Sequence, residues 1–260
     1  MPRARAILLF LLIAGIAAIL FLPRRFDTRD VPFTASGVTL HTYSNAGELS
    51  WEVRAGGGEV IGDTGTLSDV EVRFVSSNET SLTATAARLS RTERSSTLTG
   101  DVRIERDDGL RLETAEMVWD EDEERLRAGP IMLSLRDLTV EGEQFDYDIR
   151  AERAEITGGV LATIDRNPPV TVLGDRAEEA NDILAVEGDV RVETDDGVYR
   201  CDRIEAEDDA VRLVGNVVAG FDEGELRADH AEIDPDGRLT ATGRVSLHLN
   251  LGSEEEADGS

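Results

Sequence analysis

Gly100-Asp101-Val102-Arg103-Ile104-Glu105-Arg106-Asp107-Asp108-Gly109-Leu110-Arg111-Leu112-Glu113-Thr114 places apolar and charged residues in alternation on either side of an Asp-Gly pair. A period of two buries one face of a β-strand and wets the other. Asp-Gly supplies the positive φ of a tight hairpin turn. The stretch therefore predicts two antiparallel strands with one apolar face. Its opening, Gly or Asp followed by alternating apolar residues, recurs at Gly37-Val38, Asp69-Val70, Gly129-Pro130-Ile131, Gly159-Val160, Gly188-Asp189-Val190, Gly215-Asn216-Val217 and Gly243-Arg244-Val245, at spacings of 27–32 residues. On this reading Gly or Asp opens a strand. A fixed spacing of this size marks stacked supersecondary units, none of which can bury its apolar face alone.

The other half of the unit also repeats. An apolar residue, four mostly polar or small ones, then two small or apolar residues one apart recur at Leu82–Leu89, Leu112–Trp119, Val140–Tyr147, Tyr199–Ala206 and Leu226–Ile233. One copy is missing near residue 170, where Pro168-Pro169 and the polar stretch Asp175–Asp182 lie. Tandem proline removes ladder donors and favours an edge or linker, so residues 165–184 read as an interruption or hinge within an array that stays in phase. Asp196-Gly197 and Asp236-Gly237 supply further turn signals. Two strands per unit predict roughly 15 or 16 antiparallel strands. A one-sided apolar pattern needs a second layer, which leaves an elongated jelly roll or a parallel β-helix. The turns between half-units favour the jelly roll.

Acids outnumber bases 54 to 27, and every base is Arg. The absence of Lys excludes Schiff-base and P-loop lysine chemistry, and a net charge of −27 repels nucleic acid. The acidity fits a saline habitat, solubility, or repulsion of anionic headgroups from the outer walls. Cys201 is the only cysteine, so no internal disulfide forms, and its place in a strand pattern suits a small buried residue. His41, His230 and His248 are too scattered for a metal site and read as surface or strand-face residues. The paired acids Asp107-Asp108 and Asp195-Asp196 fall at matched turns, and Glu121–Glu124 is a solvated acidic loop. No cofactor, metal site or catalytic residue is expected.

Ala6–Leu22 is apolar throughout, flanked by Arg3 and Arg5 before and by Arg24, Arg25 and Arg29 after. It lacks a small-x-small cleavage pattern, so it is expected to remain as a transmembrane helix rather than to be removed as a signal peptide. The domain reading is an anchor at 1–26, a β-array at 27–164, the interruption at 165–184, a continuation at 185–252, and a disordered acidic tail at 253–260.

An anchor followed by these repeats resembles the lipopolysaccharide-export bridge family of the LptC kind. The carrying residues are Gly100 to Thr114, Met117-Val118-Trp119-Asp120 and Gly129-Pro130-Ile131. Residues 5–164 look LptC-like. Residues 185–250, with Gly188-Asp189-Val190-Arg191-Val192 and Gly215-Asn216-Val217-Val218, look more like the LptA/OstA type. The resemblance implies an all-β, elongated antiparallel jelly roll of two facing sheets that form a groove. It implies a single-pass inner-membrane protein with its bulk in the periplasm, and three kinds of partner: lipopolysaccharide, the inner-membrane export ATPase complex, and other jelly-roll bridge proteins that pair edge to edge. Expected groove residues are Val102, Ile104, Leu110, Leu112, Met117, Trp119, Ile131, Leu133, Phe145, Tyr147, Val190, Val192, Ile204, Leu213, Val217, Leu226 and Ile233, with Val245 and Leu247 continuing the alternation. The expected partner edge is Val245, Ser246, Leu247, His248, Leu249 and Asn250. A structural envelope scaffold or filament with a closed core would share the same pattern.

Overall fold

The computed structural model describes residues 33–249 except 44–48, 62–63, 76–80, 93, 108, 121, 149, 152, 166, 181–182, 196, 208–209, 222–223 and 235–237. The expected anchor, the acidic tail and Asn250 lie outside the described residues. Among the described residues the protein is all-β and antiparallel, with no helix.

The strands are β1 (Phe33–Tyr43), β2 (Leu49–Ile61), β3 (Thr64–Val75), β4 (Ser81–Arg91), β5 (Ser95–Arg106), β6 (Leu110–Asp120), β7 (Arg125–Ala128), β8 (Ile131–Leu135), β9 (Leu138–Gly142), β10 (Gln144–Asp148), β11 (Arg153–Ile164), β12 (Val170–Ala180), β13 (Ile183–Glu193), β14 (Val198–Glu207), β15 (Ala210–Phe221), β16 (Gly224–Ile233), β17 (Leu239–Thr242) and β18 (Ser246–Leu249). Each bent strand pairs antiparallel with the next along the chain. β7 and β8 are two halves of one bent strand, since both lie on β6. β9 and β10 likewise share β11, and β17 and β18 share β16. Counting each split pair once leaves 15 bent strands, within the expected range.

The recurring Gly corrects the sequence reading. It does not open a strand; it sits in the middle of one. Gly188 (φ +82) and Asp189 (φ +43) lie inside β13, where the register slips by a residue between Glu187↔Arg203 and Val190↔Cys201. Gly215 (φ +77) and Asn216 (φ +49) do the same inside β15. Two successive left-handed residues opposite one extended residue make a bulge that folds the strand. Glycine is required here by space as well as by φ: a Cβ on Gly188 would lie 2.7 Å from Asp175 Cβ.

Folding every strand at its middle gives the sheet two halves. A single line of directly paired residues runs across one half: Leu40, Val53, Val72, Ala84, Ile104, Leu112, Leu133 and Val140. It continues through Ala162, Val172, Val192, Tyr199, Ala219, Leu226 and Leu247. The other half carries a second line: Leu67, Leu89, Leu98, Met117, Ala128, Phe145, Ile156, Ala177, Val186, Ile204, Leu213, Ala231 and Ala241. Every member is apolar. Residues of both lines are buried in one core, which requires the two halves to cover each other's apolar face.

Residues 165–184, read from sequence as an interruption, hold the β11–β12 connection and β12 itself. β12 pairs with β11 from Ala154↔Glu179 to Ile164↔Val170 and with β13 from Thr171↔Glu193 to Ala180↔Ile183. The proline pair falls in the connection, where no ladder donor is needed.

Candidate functional site

All of the expected groove residues from Val102 to Ile233 face the interior. Fourteen are buried, while Ile204, Leu226 and Ile233 are half-buried. Ile104, Leu112, Leu133, Val192 and Leu226 lie on the first apolar line, and Met117, Phe145, Ile204 and Leu213 on the second. Trp119 and Tyr147 flank the second line through Leu126, which stands between them. Val102, Val190 and Val217 follow the bulges.

The interior divides into two packed clusters of different character. The first runs from Val53 to Ala154 and holds large side chains: Leu98, Ile104, Leu112, Met117, Trp119 and Leu126 are each 2 % exposed or less. The second, from Val160 to Ala231, is built from Val, Ala, Cys201 and Leu213, and is bordered by half-buried Val172, Tyr199, Ile204, Ile233 and Leu239. Ile156 packs against both, so the interior is continuous across the junction. Tyr199 meets the Phe221 ring edge-on at a centroid distance of 6.0 Å.

The outer walls are polar, and many of their arginines are held in ion pairs. Arg153 Nε reaches Glu178 at 2.8 Å, and Arg176 reaches Glu155 at 2.9 Å and Glu178 at 2.8 Å. Arg203 pairs with Glu187 on the neighbouring β13 and with Glu205 two residues along its own strand. Exposed pairs of this kind contribute little each, about 0–1 kcal/mol, but they leave the carboxylate excess to set the outer potential. The Arg111 and Arg103 guanidiniums hold the Glu113 carboxyl below its usual range. The acidic turn 122–124 is anchored by Asp120 Oδ1, which accepts from the N–H groups of Asp122 and Glu123 at 3.0 Å each, and by Glu124, which accepts two bonds from Arg150 at 2.8 and 2.9 Å. Carboxylates at these positions are structural. Cys201 is buried, as its strand pattern suggested, and burial pushes its thiol up to about 11. His41 Nε2 lies 3.0 Å from Glu52.

The C-terminal end of the array is different. Val245, Leu247 and Leu249 are 50 %, 57 % and 57 % exposed, although Leu247 ends the first apolar line. The bend before them is set by Asp229, which accepts from the Arg244 backbone N–H at 2.9 Å and from its guanidinium at 3.0 Å. That pairing holds the Asp229 carboxyl below its usual range. Of the expected edge, residues 246–249 form β18; Asn250 is outside the described residues.

Several interior residues escaped the sequence reading. Leu98 lies two residues before Gly100, in the half-strand that a strand start at Gly leaves out. Leu126 follows the acidic run 121–124 and is masked by Arg125 and Arg127. Val172 lies just beyond Pro168-Pro169. In each case alternation counted backward from the bulge would have found the residue.

No metal-binding cluster of His, Cys, Asp or Glu occurs among the described residues. Comparison with protein families matches residues 6–165 to the model described as "Lipopolysaccharide-assembly, LptC-related". No curated protein matches the chain.

Proposed function

Because the chain belongs to the LptC-related family of lipopolysaccharide assembly, we propose that it is a membrane-anchored periplasmic component that passes lipopolysaccharide from the inner-membrane transporter along an apolar trough toward the outer membrane. The observation that carries this reading is the pair of unbroken apolar lines, one on each half of the folded sheet, the first running from β1 and the second from β3 to the β17–β18 end. Covering an acyl chain is worth about 0.8 kcal/mol per CH₂. A line of similar apolar residues, one per strand, offers that gain at every step with no single deep well, which is what transit needs. Strand spacing of about 4.8 Å sets the step. Sugars and phosphates stay outside, where the anionic walls disfavour their lateral adhesion.

Acyl chains enter between the two halves of the sheet from the side away from the bulges, where the half-strands are not joined to each other. The second cluster, with its small buried residues and half-buried rim, accepts a chain with less displacement than the first. β18 pairs with the edge of another jelly-roll protein and extends the trough; photo-crosslinkers at Ser246 and His248 should yield a protein adduct in envelope preparations. The proposal as a whole is tested by depleting the protein and measuring lipopolysaccharide arrival at the outer leaflet. Arrival is expected to fall; unchanged arrival would overturn it.

The dense first cluster favours a second reading, a scaffold with a closed core. The two part on lipid: the protein extracted in mild detergent should carry lipopolysaccharide detectable by mass spectrometry if it is a trough, and none if it is a scaffold.

A further inference from the structure

We propose that residues 166–249 are a built-in second bridge module, which seals the edge of β11 and moves the docking edge for the next sheet to β18. The inference rests on the transport reading above and adds to it the question of which edge receives the partner.

The family match ends at residue 165, directly after β11. A sheet ending there would offer the outer side of β11 to a partner strand. In this chain that side is taken by β12 along its full length, from Ala154↔Glu179 to Ile164↔Val170. The joint has the features a lipid-carrying junction between two proteins would need. Both apolar lines cross it without a gap, through Ala162↔Val172 and Ile156↔Ala177, and Ile156 packs into the core on either side. The strands beyond it repeat the same Gly-Asp or Gly-Asn bulge at 188–189 and 215–216. The connection at 165–169 is only a few residues long, so β12 stays beside β11. A tethered strand acts at an effective concentration of roughly millimolar or more, which a separate protein at micromolar levels does not displace.

Beyond β11 the chain adds β12 to β16 and the bent pair β17–β18, a span of about 29 Å at a strand spacing of about 4.8 Å. β18, with Leu247 and Leu249 exposed, stands where β12 stands relative to β11: it carries the first line one residue further, to Leu247, and then leaves it open. The occupant that fits is the edge of a second bent sheet with its own apolar line, joined as β12 is joined to β11.

The test locks the internal joint in the full-length protein. Thr163 and Thr171 are directly paired across β11 and β12, as are Leu161 and Leu173, and both pairs point away from the apolar line that holds Ala162 and Val172. Opposed residues on antiparallel neighbours suit a disulfide, and the native Cys201 is buried. Two variants are made, Thr163→Cys with Thr171→Cys, and Leu161→Cys with Leu173→Cys, each with a photo-crosslinker at His248. Oxidation is verified by mass spectrometry. The locked forms are expected to keep the β18 adduct and to deliver lipid within about twofold of the reduced forms. Loss of the adduct on locking, restored by reductant, would overturn the built-in module. So would a partner adduct from a crosslinker at Thr171. Docking is read separately from lipid: a locked chain that forms the β18 adduct but delivers no lipid in either redox state supports the module and counts against the transport reading.

Discussion

Replacing Ile104 with alanine removes three carbons from a side chain that is fully buried between Ala84 and Leu112 on the first apolar line. Such a truncation in a packed core costs about 2–5 kcal/mol, the spread reflecting how far the site collapses. Leu98, Met117 and Trp119 are as deeply buried in the same cluster, so collapse is limited and a value of about 3 kcal/mol is reasonable. For a chain of this length that lowers Tm by about 6–12 °C. Ile204, on the second line, is only half-buried at the rim of the second cluster; the same change there should cost about 1–2 kcal/mol and about 2–8 °C. Thermal unfolding of the purified full-length protein, followed by far-ultraviolet circular dichroism, measures both. Equal losses at the two sites, or a loss at Ile104 below about 1 kcal/mol, would refute the graded interior in which large side chains close the first cluster and half-buried ones rim the second.

Gly188→Ala should be more damaging than Gly37→Ala. Both sites have φ near the left-handed region, worth about 1–2 kcal/mol against alanine, but only Gly188 has a neighbour, Asp175 Cβ, in the way; Gly37 has nothing within 4 Å. Equal Tm changes would remove the steric part of the bulge argument. Asp148 accepts from the Ala151 N–H at 2.9 Å and from Arg125 at 3.2 Å, and those bonds hold its carboxyl below the usual range. A depressed folded pKa contributes stability above the unfolded value, about 3.9, and loses it as pH falls through the folded value. Tm should therefore drop below about pH 4, and Asp148→Asn should shrink that acid-side drop; an unchanged acid limb would count against it. Cys201, buried and with its thiol pushed up to about 11, should resist a thiol reagent at pH 8 until denaturant is added; fast labelling of the folded chain would contradict its placement.

The repeat made the strands, their antiparallel pairing and the apolar face legible, because alternation is a local property. The fold of each strand was not, because Gly188-Asp189 and Gly215-Asn216 look like turn residues and local pattern does not distinguish a turn that ends a strand from a bulge that bends it. Misreading the bulge as a start hid Leu98, whose parity is set on the other side of the bend. The proline pair misled in a related way: Pro168 and Pro169 break a ladder only when they lie in one, and here the connection absorbs them while β12 runs on through the polar stretch beyond. Whether an inward side chain is packed shut or half-open was also outside local pattern. Met117 and Ile204 occupy like positions in the repeat, yet one is buried and the other half-buried, and only their neighbours across the fold separate them.

The central claim is that lipid travels along the inward lines. Photo-crosslinkers placed in cells at Ile104 and Val192, which lie on the first line, and at the adjacent outward positions Arg103 and Arg191, test it directly. Lipopolysaccharide adducts are expected from Ile104 and Val192, more from Val192. Adducts formed only from Arg103 and Arg191 would contradict it.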